Sequence, residues 1–235
     1  MTLLLFLPFN DGYVLMSDRL GSGKEIPDDY CIDKIRKINI DNLELIFAAS
    51  GTDRLYNLIL KEINAKINVI TKDNVFDIIN DIYYSQVITS GFTKKDQQVD
   101  LDDSNDKLSL FVFVVTKSDW NGKIFGEQAI PNLKNTKNIA RGCGEKSIKP
   151  HLQLDSYHKD RDEILCFGFH LMKYAHISND KKVGDPELHE CDFIFFYNSG
   201  EKEELFGRTP KLCKIILDMS TRMLYRFEES DKDEC

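Results

Sequence analysis

The sequence predicts an α+β fold of four layers, αββα, in which two stacked antiparallel sheets are flanked by helices. Three observations lead there. The chain opens with four short apolar, β-prone runs separated by turn residues, two helix-periodic segments follow, and the same order of strands and then helices recurs in the second half. Two hydrophobic sheets in one chain bury a face of each against the other and need helices on the outer faces, which matches that order. With 235 residues and 42% hydrophobic composition, the chain can bury a sizeable core, and it reads as a single domain over residues 1–235.

The first nine residues, MTLLLFLPF, form a buried strand, and Asn10-Asp11-Gly12 is the turn that closes a hairpin onto the apolar run Tyr13 to Ser17. Ile35 to Ile40 and Leu43 to Ala49 make a second strand pair around Asp41 and Asn42. From Thr52 to Lys66, Leu55, Ile59 and Ile63 recur at helical spacing, and a second helix is expected behind Asp73 as N-cap, with Val75, Ile78, Ile79, Ile82 and Tyr83 as its stripe. The charged stretch at 93–107 reads as an exposed loop. Leu108 to Thr116 is again a strand, Asn121-Gly122 signals a turn, and further strand-like pieces run to Asn138-Ile139-Ala140. Helical sequence follows from Glu145 to about Asp155 and from Asp160 to Ile177; Cys191 to Tyr197 returns as a strand. A last helix begins with Thr209 as N-cap and Pro210 at its first position, and the tail 228–235 is charged and solvated.

Composition excludes several functions. The net charge of -8 and the lack of a basic stripe argue against nucleic acid as a partner. The apolar start has no preceding basic residue and no small-residue cleavage site, so it is not a secretory signal, and no stretch approaches the length of a membrane span. Six scattered cysteines with no CxxC pair indicate neither a zinc ribbon nor a disulfide scaffold, which fits a cytoplasmic chain. His170 reads as a helix residue rather than a metal ligand, and Gly21-Ser22-Gly23-Lys24 lacks the spacing of a phosphate loop.

Chemistry enters at the second residue. Removal of Met1 would leave Thr2 with a free α-amine, whose ordinary pKa of about 7.7 to 8.0 suits it to act as general base for its own hydroxyl. Such a nucleophile needs an ammonium nearby to lower the hydroxyl's effective pKa and keep the amine neutral, and that ammonium needs a counter-charge.

The stretch TLLLFLPFNDGYVLMSDR resembles the opening of mature proteasome β-type subunits, in which a nucleophilic threonine starts a strand, an Asp-Gly turn follows, and an aspartate ends the next strand. In that family the aspartate lies sixteen positions after the threonine and a catalytic lysine thirty-two after it; Asp18 and Lys34 stand at those separations from Thr2. The segment IFAASGTDRLYNLIL resembles the family's turn between fourth strand and first helix, which implies that the amide of Ser50 or Gly51 donates to the oxyanion. Arg141-Gly142-Cys143-Gly144 resembles a Gly-Ser-Gly whose serine bonds the amine, with Cys143 in the serine's place. Asn179 to Gly184 resembles an Asp-x-x-Ser-Gly segment, which makes Asp180 the residue that orients the amine and puts Val183 where a serine is expected.

The resemblance implies an N-terminal-nucleophile fold and a threonine endopeptidase that works through an acyl ester, with no cofactor and no metal. It is closest in style to the propeptide-less bacterial and archaeal homologues. It implies a peptide or unfolded-protein substrate in a groove bordered by Ser22, and specificity residues near Ile32, Arg36 and Phe47. It also implies a homo-oligomeric ring or stack that an ATPase could serve. Two alternatives use the same residues differently: a peptide ligase, in which an amine intercepts the acyl-enzyme, and a non-catalytic ring subunit, which Cys143 and Val183 favour.

Overall fold

The computed structural model describes residues 3–20, 33–51, 53–89, 108–126, 129–153, 160–178, 183–186 and 188–208. The expected loop at 93–107, the C-terminal helix behind Thr209 and the charged tail lie outside the described residues, as do Thr2, Ser22 and Asp180. The chain divides into two compact units, one from Lys34 to Thr136 and one built from Thr2–Asp33 and Lys137–Cys235.

In the first unit, strands β3 (Ile35–Ile40), β4 (Leu43–Ser50), β5 (Ser109–Val115) and β6 (Trp120–Phe125) form an antiparallel sheet in sequence order. Helices α1 (Asp53–Ala65) and α2 (Val75–Thr89) lie on it. Leu55, Ile59 and Ile63 of α1 and Val75, Ile79 and Ile82 of α2 are buried against Phe47 of β4 and Val112 of β5, so the helical stripes read from the sequence are the faces that pack. β3 is an edge strand with exposed Arg36, Lys37 and Asn39, which discourage pairing with another chain. Its turn to β4 needs positive φ, and Asp41 adopts it at 47°.

In the second unit, β1 (Leu3–Phe9), β2 (Gly12–Asp18), β7 (Ile139–Gly142), β8 (Cys191–Tyr197) and β9 (Lys202–Arg208) form an antiparallel sheet in the order β7-β1-β2-β8-β9. Helices α3 (Glu145–Ile148) and α4 (Arg161–Ser178) accompany it. Ile164, Phe169, Met172 and Ala175 of α4 pack with Leu5 and Leu7 of β1, Met16 of β2 and Phe193 of β8. Leu3 to Leu7 are all fully buried, on both faces of the strand. That explains why Leu3 to Phe9 read as an unbroken apolar run, and burial contributes roughly 1.5–3 kcal/mol for each large side chain. The α+β class with two antiparallel sheets and accompanying helices is therefore the observed one.

Two local expectations need correction. Asn121-Gly122 is not a turn: both residues lie inside β6, and the turn falls at Thr116 to Asp119, closed by mutual bonds of the Thr116 hydroxyl with the Asp119 backbone at 3.0 and 3.1 Å. Gly122 serves close approach instead, because a Cβ there would stand 2.9 Å from both Leu133 and Phe113. The second helix begins at Val75 rather than behind an Asp73 cap, and Asn74 closes the preceding turn by accepting from the Thr71 N–H and donating to the Val69 carbonyl.

Two other glycines mark close packing in the second unit. A Cβ at Gly12 would stand 2.0 Å from the Phe196 carbonyl oxygen of β8, and one at Gly168 of α4 would stand 2.1 Å from the Met16 sulfur. Backbone cannot retreat as a thioether can. Gly12→Ala is therefore expected to destabilise by about 2 kcal/mol or more and Gly168→Ala by less. Urea midpoints of the two variants check the order; an equal or inverted pair contradicts it.

Candidate functional site

Asp18 ends β2 and is fully buried. A carboxylate in that position is costly unless its lone pairs are occupied. Its Oδ1 accepts the Leu3 N–H at 2.9 Å and its Oδ2 accepts the Gly184 N–H at 3.1 Å. One side chain thus joins the start of β1, the end of β2 and the segment that follows α4. Leu3 is the residue after Thr2, so the carboxylate is fixed on the backbone beside the predicted nucleophile.

Cys143 follows directly on Gly142, which pairs with Leu3 across the β1–β7 ladder. It is a partly buried thiol, outside any disulfide, between two glycines of positive φ, Gly142 at 104° and Gly144 at 80°, and it packs against the core of its unit. Gly144 in the left-handed region lets the chain turn straight into α3. Val183, where a serine was expected, is fully buried in the same core. Its side chain serves packing.

Arg19, next to Asp18, gathers charge. Its guanidinium pairs with Asp33 and Glu190 and lies 3.7 Å from Asp192, whose Oδ1 also accepts the Gly207 N–H at 2.8 Å. The end of β2, the strands β8 and β9 and the residue preceding Lys34 are tied together at this point.

In the other unit Lys34 is buried, one residue before β3. The Tyr56 hydroxyl of α1 lies 3.1 Å from the Phe47 carbonyl and 3.4 Å from that of Lys34. Burial pushes the Tyr56 phenol far above its ordinary pKa, so it stays a donor to these strand ends. Ser50 is buried at the end of β4, and Gly51 has a φ of 136°, a conformation that turns the chain from strand to helix α1 within two residues. Phe47 is fully buried beneath the helices and Arg36 is exposed.

Sequence reasoning missed the support behind Asp18. Lys173 of α4 holds both oxygens of Asp185 at 3.0 and 2.9 Å, and His176 of α4 meets the Val183 carbonyl at 2.6 Å. These residues flank Gly184, whose N–H reaches Asp18. The signal was the charged Asp185 directly after Gly184, paired with two polar residues a turn apart on an otherwise apolar helix face.

Two antiparallel sheets, each with its helices, and an opening strand held by a buried aspartate make up an α+β fold that proteasome-like proteins share. Anbu proteins are among the solved structures that are similar over nearly the whole chain. Anbu, the ancestral β-subunit, from Yersinia bercovieri matches with a TM-score of 0.64 at 12% identity, covering 97% of each chain. The Gly-1 mutant of Anbu from Hyphomicrobium sp. strain MC1 matches with 0.69 at 10% identity, covering 99% of this chain and 100% of the other. A helical assembly of the Anbu complex from Pseudomonas aeruginosa matches with 0.63 at 14% identity, covering 97% of this chain and 96% of the other. No protein-family model matches the sequence, and no curated protein matches it.

These findings correct the resemblance to proteasome β-type subunits. The neighbours are Anbu proteins, a distinct family of proteasome-like fold, so the assignment to the β-type subunit family does not stand. No helix among the described residues is long and apolar enough to cross a membrane.

Asp18→Ala would leave the Leu3 and Gly184 N–H groups without their acceptor. A loss of about 2–4 kcal/mol in unfolding free energy is expected, since each abandoned buried donor costs about 1–3 kcal/mol. A loss below about 0.5 kcal/mol in a denaturant melt contradicts the anchoring role.

Proposed function

We propose that the chain is an N-terminal-nucleophile peptidase whose nucleophile is the Thr2 hydroxyl, provided that everything before Thr2 is removed to free its amine. The observation that carries this reading is the bond from the buried Asp18 carboxylate to the Leu3 N–H, at the residue adjoining the nucleophile. In the reaction, the Thr2 Oγ1 attacks a peptide carbonyl and its proton passes to the α-amine. The Lys34 ammonium, with Asp18 as its counter-charge, lowers the hydroxyl's effective pKa and keeps the amine neutral. The amide of Ser50 or Gly51 takes the negative charge of the tetrahedral intermediate. Collapse expels the leaving amine with the transferred proton and leaves an ester on Thr2, which water hydrolyses. Cys143 and Asp180 orient the amine. An extended peptide lies beside Ser22, and copies of the chain assemble as the Pseudomonas aeruginosa Anbu complex does in its helical assembly.

A second reading, a non-catalytic subunit of such an assembly, is favoured by one observation. Val183 is committed to the apolar core and offers no side-chain hydrogen bond to an amine.

Intact-mass analysis after treatment with a threonine-directed peptide electrophile separates the two. Catalysis predicts loss of Met1, one adduct on Thr2, no adduct in Thr2→Ala, and labelling slowed about a hundredfold or more in Lys34→Ala. Retained Met1, or an adduct that persists in Thr2→Ala, sinks the peptidase reading.

A further inference from the structure

We infer that His176 is a positioning residue for Asp18, acting through the single peptide group that joins Val183 to Gly184. The inference rests on the functional role proposed for Asp18.

The Val183 carbonyl and the Gly184 N–H belong to one planar unit and point in opposite directions across it. The carbonyl meets His176 Nδ1 at 2.6 Å, and the N–H donates to Asp18 Oδ2 at 3.1 Å. A carbonyl oxygen only accepts, so Nδ1 carries the proton and His176 is the donor. Imidazole, peptide and carboxylate therefore form a chain of hydrogen bonds running one way. Such chains polarise: a donor on the carbonyl makes the same peptide's N–H a stronger donor, by about 10–30% per bond. His176 both fixes the plane and strengthens the bond that it presents to Asp18.

The imidazole lies beside a second anchored group. Its Nε2 lies 3.7 Å from Asp185 Oδ2, and that carboxylate is gripped by Lys173 Nζ. Both His176 and Lys173 project from α4, three residues apart and so on one face of the helix. On the far side of Asp185, its N–H donates to His189 Nδ1 at 2.9 Å, while its carbonyl accepts the Leu188 and His189 N–H groups at 2.9 and 2.8 Å. The segment is closed on itself and pinned to the helix, so the peptide plane has little freedom to rotate away from Asp18. Gly184 itself leaves little space: a Cβ there would stand 3.2 Å from the Leu20 Cβ and 3.4 Å from Asp18 Oδ2. The absence of a side chain lets the N–H come within bonding distance of the carboxylate.

Three variants test the role. The Asn amide nitrogen takes the place of a histidine Nδ1, so His176→Asn keeps a donor for the Val183 carbonyl. Gln places its nitrogen near Nε2 instead, and Leu offers none. Amide exchange at Gly184, followed by NMR in the full chain, is expected to quicken about tenfold in His176→Leu and His176→Gln, the equivalent of one hydrogen bond, and to stay within about threefold in His176→Asn. Acylation of Thr2 by the electrophile should slow about fivefold or more in the first two and recover in His176→Asn. A merely structural residue would not show this rescue by donor position.

Equal Gly184 exchange in wild type and all three variants overturns the inference, as does a loss in His176→Asn as large as in His176→Leu. If His176→Leu fails to fold, the comparison of Asn with Gln decides. If the wild-type chain takes no electrophile at Thr2, the proposed function fails by itself, and Gly184 exchange still judges the hydrogen-bond chain.

Discussion

A buried negative charge organises the second unit. Asp18 lies at the end of β2 with no exposure to solvent, so its two oxygens must be satisfied within the protein. They are met by backbone donors from two distant parts of the chain, Leu3 and Gly184. Backbone donors suit this role because they come with the fold and lose no side-chain entropy on ordering. The requirement propagates outward. Leu3 reaches Asp18 because β1 and β2 are a tight hairpin in register, and Gly184 reaches it because α4 holds the following segment through Lys173 and His176.

Sheet chemistry explains which elements were legible. β1, β2 and β5 are buried on both faces, so each carries a continuous apolar run, Leu3 to Phe9, Tyr13 to Met16 and Leu110 to Val115. β3 is legible for the opposite reason, with polar residues at the edge of its sheet. The reading failed at Asn121-Gly122, a dipeptide whose local preference is a turn. There the glycine is required by Leu133 and Phe113 pressing on the strand, neighbours eleven and nine positions away that no local pattern reveals. Tertiary crowding outweighed turn propensity.

The site was legible to a different degree in each of its parts. Asp18 and Lys34 were singled out by their spacing to Thr2, and both are buried. Gly51 emerged as a turn residue, and its positive φ accords with that. The family reading was too narrow for a related reason. At 10 to 14% identity to the solved Anbu structures, the likeness lies in the fold, and a few spacings along the chain do not single out one family. Cys143 and Val183 were visible as departures from the β-type pattern, yet a departure names no alternative.

The sequence by itself determined the α+β class and the order of strands and helices among the described residues. Those features are local, and side-chain period and turn residues mark them. Only the tertiary structure decided what surrounds Asp18. The Gly184 N–H is 166 positions away from it in the chain, and its donor role depends on a backbone amide, which every residue but proline carries and no sequence pattern distinguishes. The same holds for His176, whose partner is a carbonyl. Bonds to the backbone leave no mark in residue identity, so the fold had to place them.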